Sequence, residues 1–380
     1  MNVDSVVARL RRRKLYGAYS VATETSLLCR QVVSTYRWNH IDQLLQHLKD
    51  LGKRLTEAQP REFTSGNIVR RVLKMVREVY ADSLASLTED GEEDLHGRSA
   101  SPTSGVHGSS QSFQIDPSTS IHSAMLNLLG RPDTVTAASS QSKVAPGAIE
   151  SGNNLRPAII AGIQDIMDEL TRVYKDIGPH SMQHIHSSEI ILTHGSSKTV
   201  ASFLKQAAES RRFTVIIAES YPNDIAESHQ MAETLSQAGI TTILIPDSAV
   251  FGIMSRVNKV IMGTHAVLQN GGLLAASGAK QVALAARDHS TPVVIVTGVY
   301  KLTPFYPYDH ENLIELISPE RVSAFKEVVQ ETENVDILNP FYDYVYPELI
   351  ALYITNLGAH APTTLHRTMA ENYDSQDYNF

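Results

Sequence analysis

The run Ile191-Leu192-Thr193-His194-Gly195-Ser196-Ser197-Lys198 carries an apolar stretch straight into small polar residues. In an open α/β sheet, the turn leaving the carboxyl end of a strand is where ligands bind and catalytic atoms sit. Backbone N–H groups at Gly195, Ser196 and Ser197, opening a helix, would suit a phosphate. Asp247, in IPDSAVFGIMSRV directly after another apolar run, could turn a carboxylate into the same crevice. Ser196 and Asp247 also suit another task, and the more frequent one for such residues at such places, that of N-caps accepting the first N–H groups of a helix.

Spacing argues against other chemistries. No G-x-G-x-x-G follows the first apolar run and no G-x4-G-K-[ST] occurs anywhere, so no nucleotide cofactor is expected. His180, His184 and His186 lie close together without the H-E-x-x-H arrangement of a zinc helix, and they read as surface or interface histidines with no metal. The lone cysteine, Cys29, can form neither an intrachain disulfide nor a cysteine-rich zinc site, and reads as a small buried side chain.

The elements that must position these residues follow from periodicity. Val6, Val7 and Leu10, then Leu44, Leu45, Leu48, Leu51 and Leu55, then Ile68, Val69, Val72, Leu73, Val76 and Val79 recur at helical steps, with Thr64 or Ser65 as the expected N-cap of the last helix. Residues 1–87 are therefore expected to be a helical domain. Residues 88–153 are acidic and then Ser/Gly/Pro-rich, which predicts a linker acting as a tether, with a short apolar island at 123–130. From 154 onwards a connecting helix leads into the short apolar runs EIILT, TVIIAE, TTILIP, KVIMG, VVIVTG and LYITN, spaced by crossover-length helices. That alternation predicts an α/β fold: an N-terminal helical domain followed by a Rossmann-like parallel-sheet domain at 154–380.

Charge is unevenly divided. Residues 1–87 hold 15 Lys/Arg against 8 Asp/Glu, and the rest holds 18 against 33, for a net charge of −8. The basic run Arg9 to Lys14 lacks interleaved aromatics or a nucleic-acid motif, so Arg11, Arg12 and Arg13, with Arg70 and Arg71, read as a solvated face or a dock for an acidic protein. No direct nucleic-acid partner is expected. No apolar leader follows the basic run and no segment approaches about 18 consecutive apolar residues, giving the expectation of a soluble cytoplasmic protein without a membrane partner. Phe305, Tyr306 and Tyr308, with Phe341, Tyr342, Tyr344 and Tyr346, sit in otherwise polar connections; they serve either as partner anchors or as closure of the chain's own core.

The stretches FTSGNIVRRVLKMVREVY, IPDSAVFGIMSRVNKVIMGTHAVLQNGG, YKLTPFYPYD and ELIALYITNLGAHAPTTLHR resemble the beta-type members of the alpha/beta/delta regulatory subunits of eukaryotic translation initiation factor 2B. The resemblance implies a non-catalytic subunit of a guanine nucleotide exchange factor. Its implied partners are the alpha, gamma, delta and epsilon subunits and initiation factor 2, whose phosphorylated alpha subunit it would sense. Sugar-phosphate isomerases share the fold and supply the alternative function, isomerase or sugar-phosphate sensor. Their T-H-C-N-x-G loop matches Thr193 and His194, but Gly195 stands at the cysteine. Their catalytic aspartate matches Asp247. Their N-G-D-x-A-N-K loop matches Asn270 and Gly271 and then loses its Asp, Asn and Lys. The resemblance thus implies a vestigial pocket at Thr193, His194, Gly195, Ser196, Ser197, Asp247, Asn270 and Gly271, with no catalytic residue and no cofactor.

Overall fold

The computed structural model describes residues 3–96, 155–323, 335–378 and 380. Residues 1–81 and 152–380 form one compact unit, and residues 82–151 group separately. Helix α1 (Val3–Arg11) buries Val6, Val7 and Leu10. Helix α2 (Ala18–Thr35) escaped the periodicity argument because Ala22, Thr25, Ser26 and Cys29 take up much of its inner face, leaving a weak apolar stripe. Helix α3 spans Ile41–Ala58 and buries Leu44, Leu48, Leu51 and Leu55.

Helix α4 (Phe63–His96) begins two or three residues earlier than expected. Ser65 lies inside its first turn and donates Oγ–H back to the Glu62 carbonyl at 3.2 Å, so neither Thr64 nor Ser65 is its cap. The helix also runs nine residues past position 87, where composition alone marked the start of a linker. The remainder of the expected linker, with the island at 123–130, lies outside the described residues. Helix α5 (Leu155–Ile177) buries Ile159, Ile163, Ile166, Leu170 and Val173. One continuous core joins the helical residues Val21, Leu28, Ile68 and Val72 through Ile163 and Leu170 to the sheet residues Ile191, Val215 and Ile354.

Every apolar run expected to be a strand is one. β1 (Ile190–His194), β2 (Thr214–Ala218), β3 (Thr241–Ile245) and β4 (Lys259–Met262) precede two short strands, β5 (Ala266–Val267) and β6 (Leu273–Ala276). β7 (Val293–Val296), β8 (Tyr342–Val345), β9 (Leu352–Thr355) and β10 (Gly358–His360) follow. The main sheet has the order β10-β9-β7-β4-β1-β2-β3, parallel except for β10, while β5-β6-β8 form a small antiparallel sheet. Helices α6 (Lys198–Ala208), α7 (Ile225–Gln237), α8 (Val250–Met254) and α9 (Ala279–Asp288) lie in the connections, and α10 (Leu365–Asn372) follows the sheet. Chain order reverses between β1 and β4, which makes the carboxyl ends of those strands the topological switch point. No helix among the described residues is long and apolar enough to cross a membrane.

Candidate functional site

The loop after β1 lies at this switch point. Gly195 has φ +69°, a left-handed conformation that lets the chain turn sharply after the strand. A Cβ there would stand 3.4 Å from Ser220 Oγ and 3.5 Å from Ala276 Cβ. Ser197, and not Ser196, caps α6, accepting Val200 N–H at 3.4 Å, while Ser196 faces solvent. Thr193 is buried with its hydroxyl unpartnered.

His194 is the buried centre of the pocket. Its Nε2 is hydrogen-bonded to Ser220 Oγ at 3.2 Å and lies 3.7 Å from Asp247 Oδ1. Gly278 closes over the ring with φ +100°, and a Cβ at that position would come within 2.6 Å of Nε2. Burial pushes the imidazole pKa below its usual value, against the pull of Asp247 and Asp343, so at neutral pH the ring is uncharged and the Asp247 contact is polar, not ionic. Asp247 does not cap its own helix. Its Oδ1 accepts Ser220 N–H at 3.1 Å and its Oδ2 accepts Tyr221 N–H at 2.7 Å, which clamps the loop after β2. Asp343 does the same for the start of α9, accepting Gly278 N–H at 2.7 Å and Lys280 N–H at 3.3 Å.

Ser220, His194 and Asp247 bring together the residue types of a nucleophilic relay, but the geometry is wrong for one. A relay places the hydroxyl and the carboxylate on opposite imidazole nitrogens. Here both approach Nε2. Asn270 and Gly271 are also committed elsewhere: Asn270 donates to Tyr344 OH at 2.7 Å and accepts Gly272 N–H at 2.9 Å, and the Gly271 carbonyl accepts Tyr353 OH at 2.7 Å. They brace the small sheet instead of lining the space beside His194. Sequence reasoning missed Ser220, Gly278 and Asp343. Ser220 had a signal, a polar residue closing the run TVIIAES, whereas Asp343 sits within an aromatic strand and gave none.

A second polar cluster joins the start of α4 to the α/β half. His265 Nδ1 is hydrogen-bonded to Tyr342 OH at 3.2 Å, and the rings stack at 4.4 Å. Its Nε2 lies 3.4 Å from Glu62 Oε2. Lys301 Nζ donates to the Thr264 carbonyl at 2.7 Å, and burial lowers its pKa to about 8.

The basic residues divide sharply. Arg70 donates to the carbonyls of Asp377 (3.0 Å) and Tyr378 (3.1 Å) and stacks on Phe380, and Arg71 pairs with Glu169 at 2.5 Å. Arg13 pairs with Glu315 and stacks on Phe341. These three arginines hold the chain's own parts together and leave Arg11 and Arg12 exposed. The aromatics divide too. Tyr342 and Tyr344 are buried in this chain, which removes them as surface anchors, whereas Phe305, Tyr306, Tyr308 and Tyr346 remain exposed.

Comparison with known proteins places this geometry in context. The family model described as "Initiation factor 2 subunit family" matches residues 14–362. The chain is 47% identical to "Translation initiation factor eIF2B subunit beta" of Schizosaccharomyces pombe, covering 99% of this chain and 96% of that protein. Among solved structures, eIF2B beta from Chaetomium thermophilum is similar with 32% identity and a TM-score of 0.70, over 100% of this chain and 93% of that one. A chain of the tetrameric eIF2B-beta2-delta2 complex from C. thermophilum is similar with 29% identity and a TM-score of 0.66, over 98% and 94%. With N-terminal helices packed on a switch-point α/β sheet and likeness along almost its entire length, the chain belongs to the Initiation factor 2 subunit family.

Proposed function

We propose that the chain is a non-catalytic regulatory subunit of the guanine nucleotide exchange factor for translation initiation factor 2, working in the cytoplasm. It pairs with a delta-type subunit, assembles with alpha, gamma and epsilon subunits, and responds to phosphorylation of the initiation factor 2 alpha subunit. The observation that carries the reading is the convergence of Ser220 Oγ and Asp247 Oδ1 on one nitrogen of a buried, uncharged His194. General acid–base chemistry needs a positioned pair that can exchange protons with a substrate. This pocket commits Ser220, His194 and Asp247 to one another and has Gly195 where an isomerase would carry a thiol. The fold is retained while its site serves to lock three loops.

Exposed Phe305, Tyr306 and Tyr308 support an assembly role, because exposed aromatic clusters anchor interfaces. The decisive experiment measures release of labelled GDP from initiation factor 2 by the complex assembled with and without this chain. Exchange is expected to persist, and its inhibition by phosphorylated alpha subunit to be lost, when the chain is omitted. Sugar-phosphate isomerisation by the chain, or inhibition unchanged by its omission, would overturn the reading.

A further inference from the structure

We propose that the groove between α1 and α3 is a docking site for an acidic peptide segment of a partner protein. The groove encloses a cavity of ≈ 480 Å³ whose lining includes Asp4, Val7, Arg11, Arg12, Arg54 and Glu57. Most arginines of the helical half are committed within the chain: Arg9 to Glu24, Arg13 to Glu315, Arg71 to Glu169 and Arg77 to Asp377. Arg11 and Arg12 are exposed, and among the described residues their side chains have no hydrogen bond or ion pair. Adjacent guanidiniums without a counter-charge repel each other, and an anionic ligand removes that repulsion.

Local backbone separates these two arginines from the third member of the run. Arg13 has φ +49°, which ends α1 and directs its guanidinium to Glu315 and Phe341. Arg11 and Arg12 stay on the groove. Elsewhere in the lining Arg54 is occupied by Asp4 at 2.5 Å, which leaves Glu57 as the remaining carboxylate against Arg11 and Arg12.

The lining therefore carries a net positive charge, and that selects its occupant. Carboxylates suit Arg11 and Arg12, whose two guanidinium forks can receive them, and uncharged residues suit the stretch beside the Asp4–Arg54 pair. From Asp4 to Arg11 the helix rises about 10 Å, the span of roughly three extended residues. Nucleic acid fits less well: among the described residues no aromatic side chain lines the groove for base stacking, and Glu57 repels a continuous polyanion. The proposal rests on the reading of the chain as a regulatory subunit approached through its helical half, but it requires no phosphorylation of the partner.

The test uses the full chain and a fluorescein-labelled octapeptide, Ser-Leu-Gly-Ser-Glu-Asp-Glu-Ser, followed by fluorescence anisotropy at low salt. Saturable binding is expected. It should weaken about tenfold or more with Arg11→Glu plus Arg12→Glu, and by less with the paired alanine substitutions. The exposed Arg37→Glu should leave it unchanged, and the peptide with Gln and Asn in place of its acids should not bind. Equal binding by the double Glu variant, or tighter binding of an octathymidylate than of the peptide, would overturn the proposal. Because the probe carries no phosphate, peptide binding without a response of the exchange complex to phosphorylation would sink the regulatory reading alone.

Discussion

The carboxylate of Asp247 accepts the backbone N–H of Ser220 at 3.1 Å, and the Ser220 hydroxyl in turn meets His194 at 3.2 Å. A residue positioned like a catalytic acid is thereby a clamp between the loops after β2 and β3. Asp247→Ala is expected to destabilise the chain by about 2 kcal/mol, since charge-assisted bonds to two amides are lost. Urea denaturation measures this. An unchanged midpoint would show that the clamp contributes nothing.

Placing a thiol in the loop after β1 should not create isomerase chemistry. Gly195→Cys forces a side chain into φ +69°, at a cost of about 1 kcal/mol. Its Cβ would fit at ordinary contact distances from Ser220 and Ala276, so the variant folds. NMR of a ribose phosphate incubated with this variant is expected to show no aldose-to-ketose conversion.

Stability should depend on pH through buried imidazoles. Burial holds His194 and His265 below the usual 6.5, so in acid the unfolded chain binds protons that the folded chain refuses. The unfolding free energy is expected to fall as pH drops through 6.5. Lys301 acts at the other end. Its pKa of about 8, against 10.5 when unfolded, makes its contribution rise with pH between those values. Cys29, pushed up to about 12, and the buried tyrosines oppose that rise. Comparing wild type with Lys301→Met across pH 8 to 10.5 isolates the lysine.

The chain's end is a stability element. Asp377 is wholly buried between Arg77 (Nη2–Oδ1, 2.9 Å) and Lys49 (3.1 Å). Burial alone would raise its pKa, but the hydrogen bonds from Arg77 and Lys49 prevail and hold it below the usual carboxylate value. Asp377→Ala should cost about 3 kcal/mol, the order found when one partner of a buried ion pair is removed. Thermal unfolding of the variant measures the loss.

What could be read from sequence tracks the range of the interaction responsible. β1, β2, β3, β4, β7 and β9 were legible because strands covered on both faces are continuous apolar runs. β5, β6 and β8 were not, being two to four residues long and paired with one another, and neither was β10, three residues at the sheet edge paired antiparallel to β9. Ser197 took the cap expected of Ser196 through a one-residue difference in where α6 begins. Arg70 and Arg71 looked like a basic surface because their partners, Asp377, Tyr378 and Glu169, are about 100 to 300 residues away along the chain. No local pattern encodes such contacts.

The aromatic groups should separate by experiment as they do by burial. Tyr344→Ala, removing a buried ring and its bond to Asn270, is expected to cost about 3 kcal/mol. Tyr308, 89% exposed, can be changed to alanine with no loss of stability but with weaker association to a delta-type subunit, measured by surface plasmon resonance.

Native mass spectrometry of the chain co-expressed with a delta-type subunit tests the central claim most directly. A chain that pairs as proposed, through Phe305, Tyr306 and Tyr308, should appear as a stable hetero-oligomer containing both chains. A chain that stays monomeric beside its folded paralogue would contradict the assembly role.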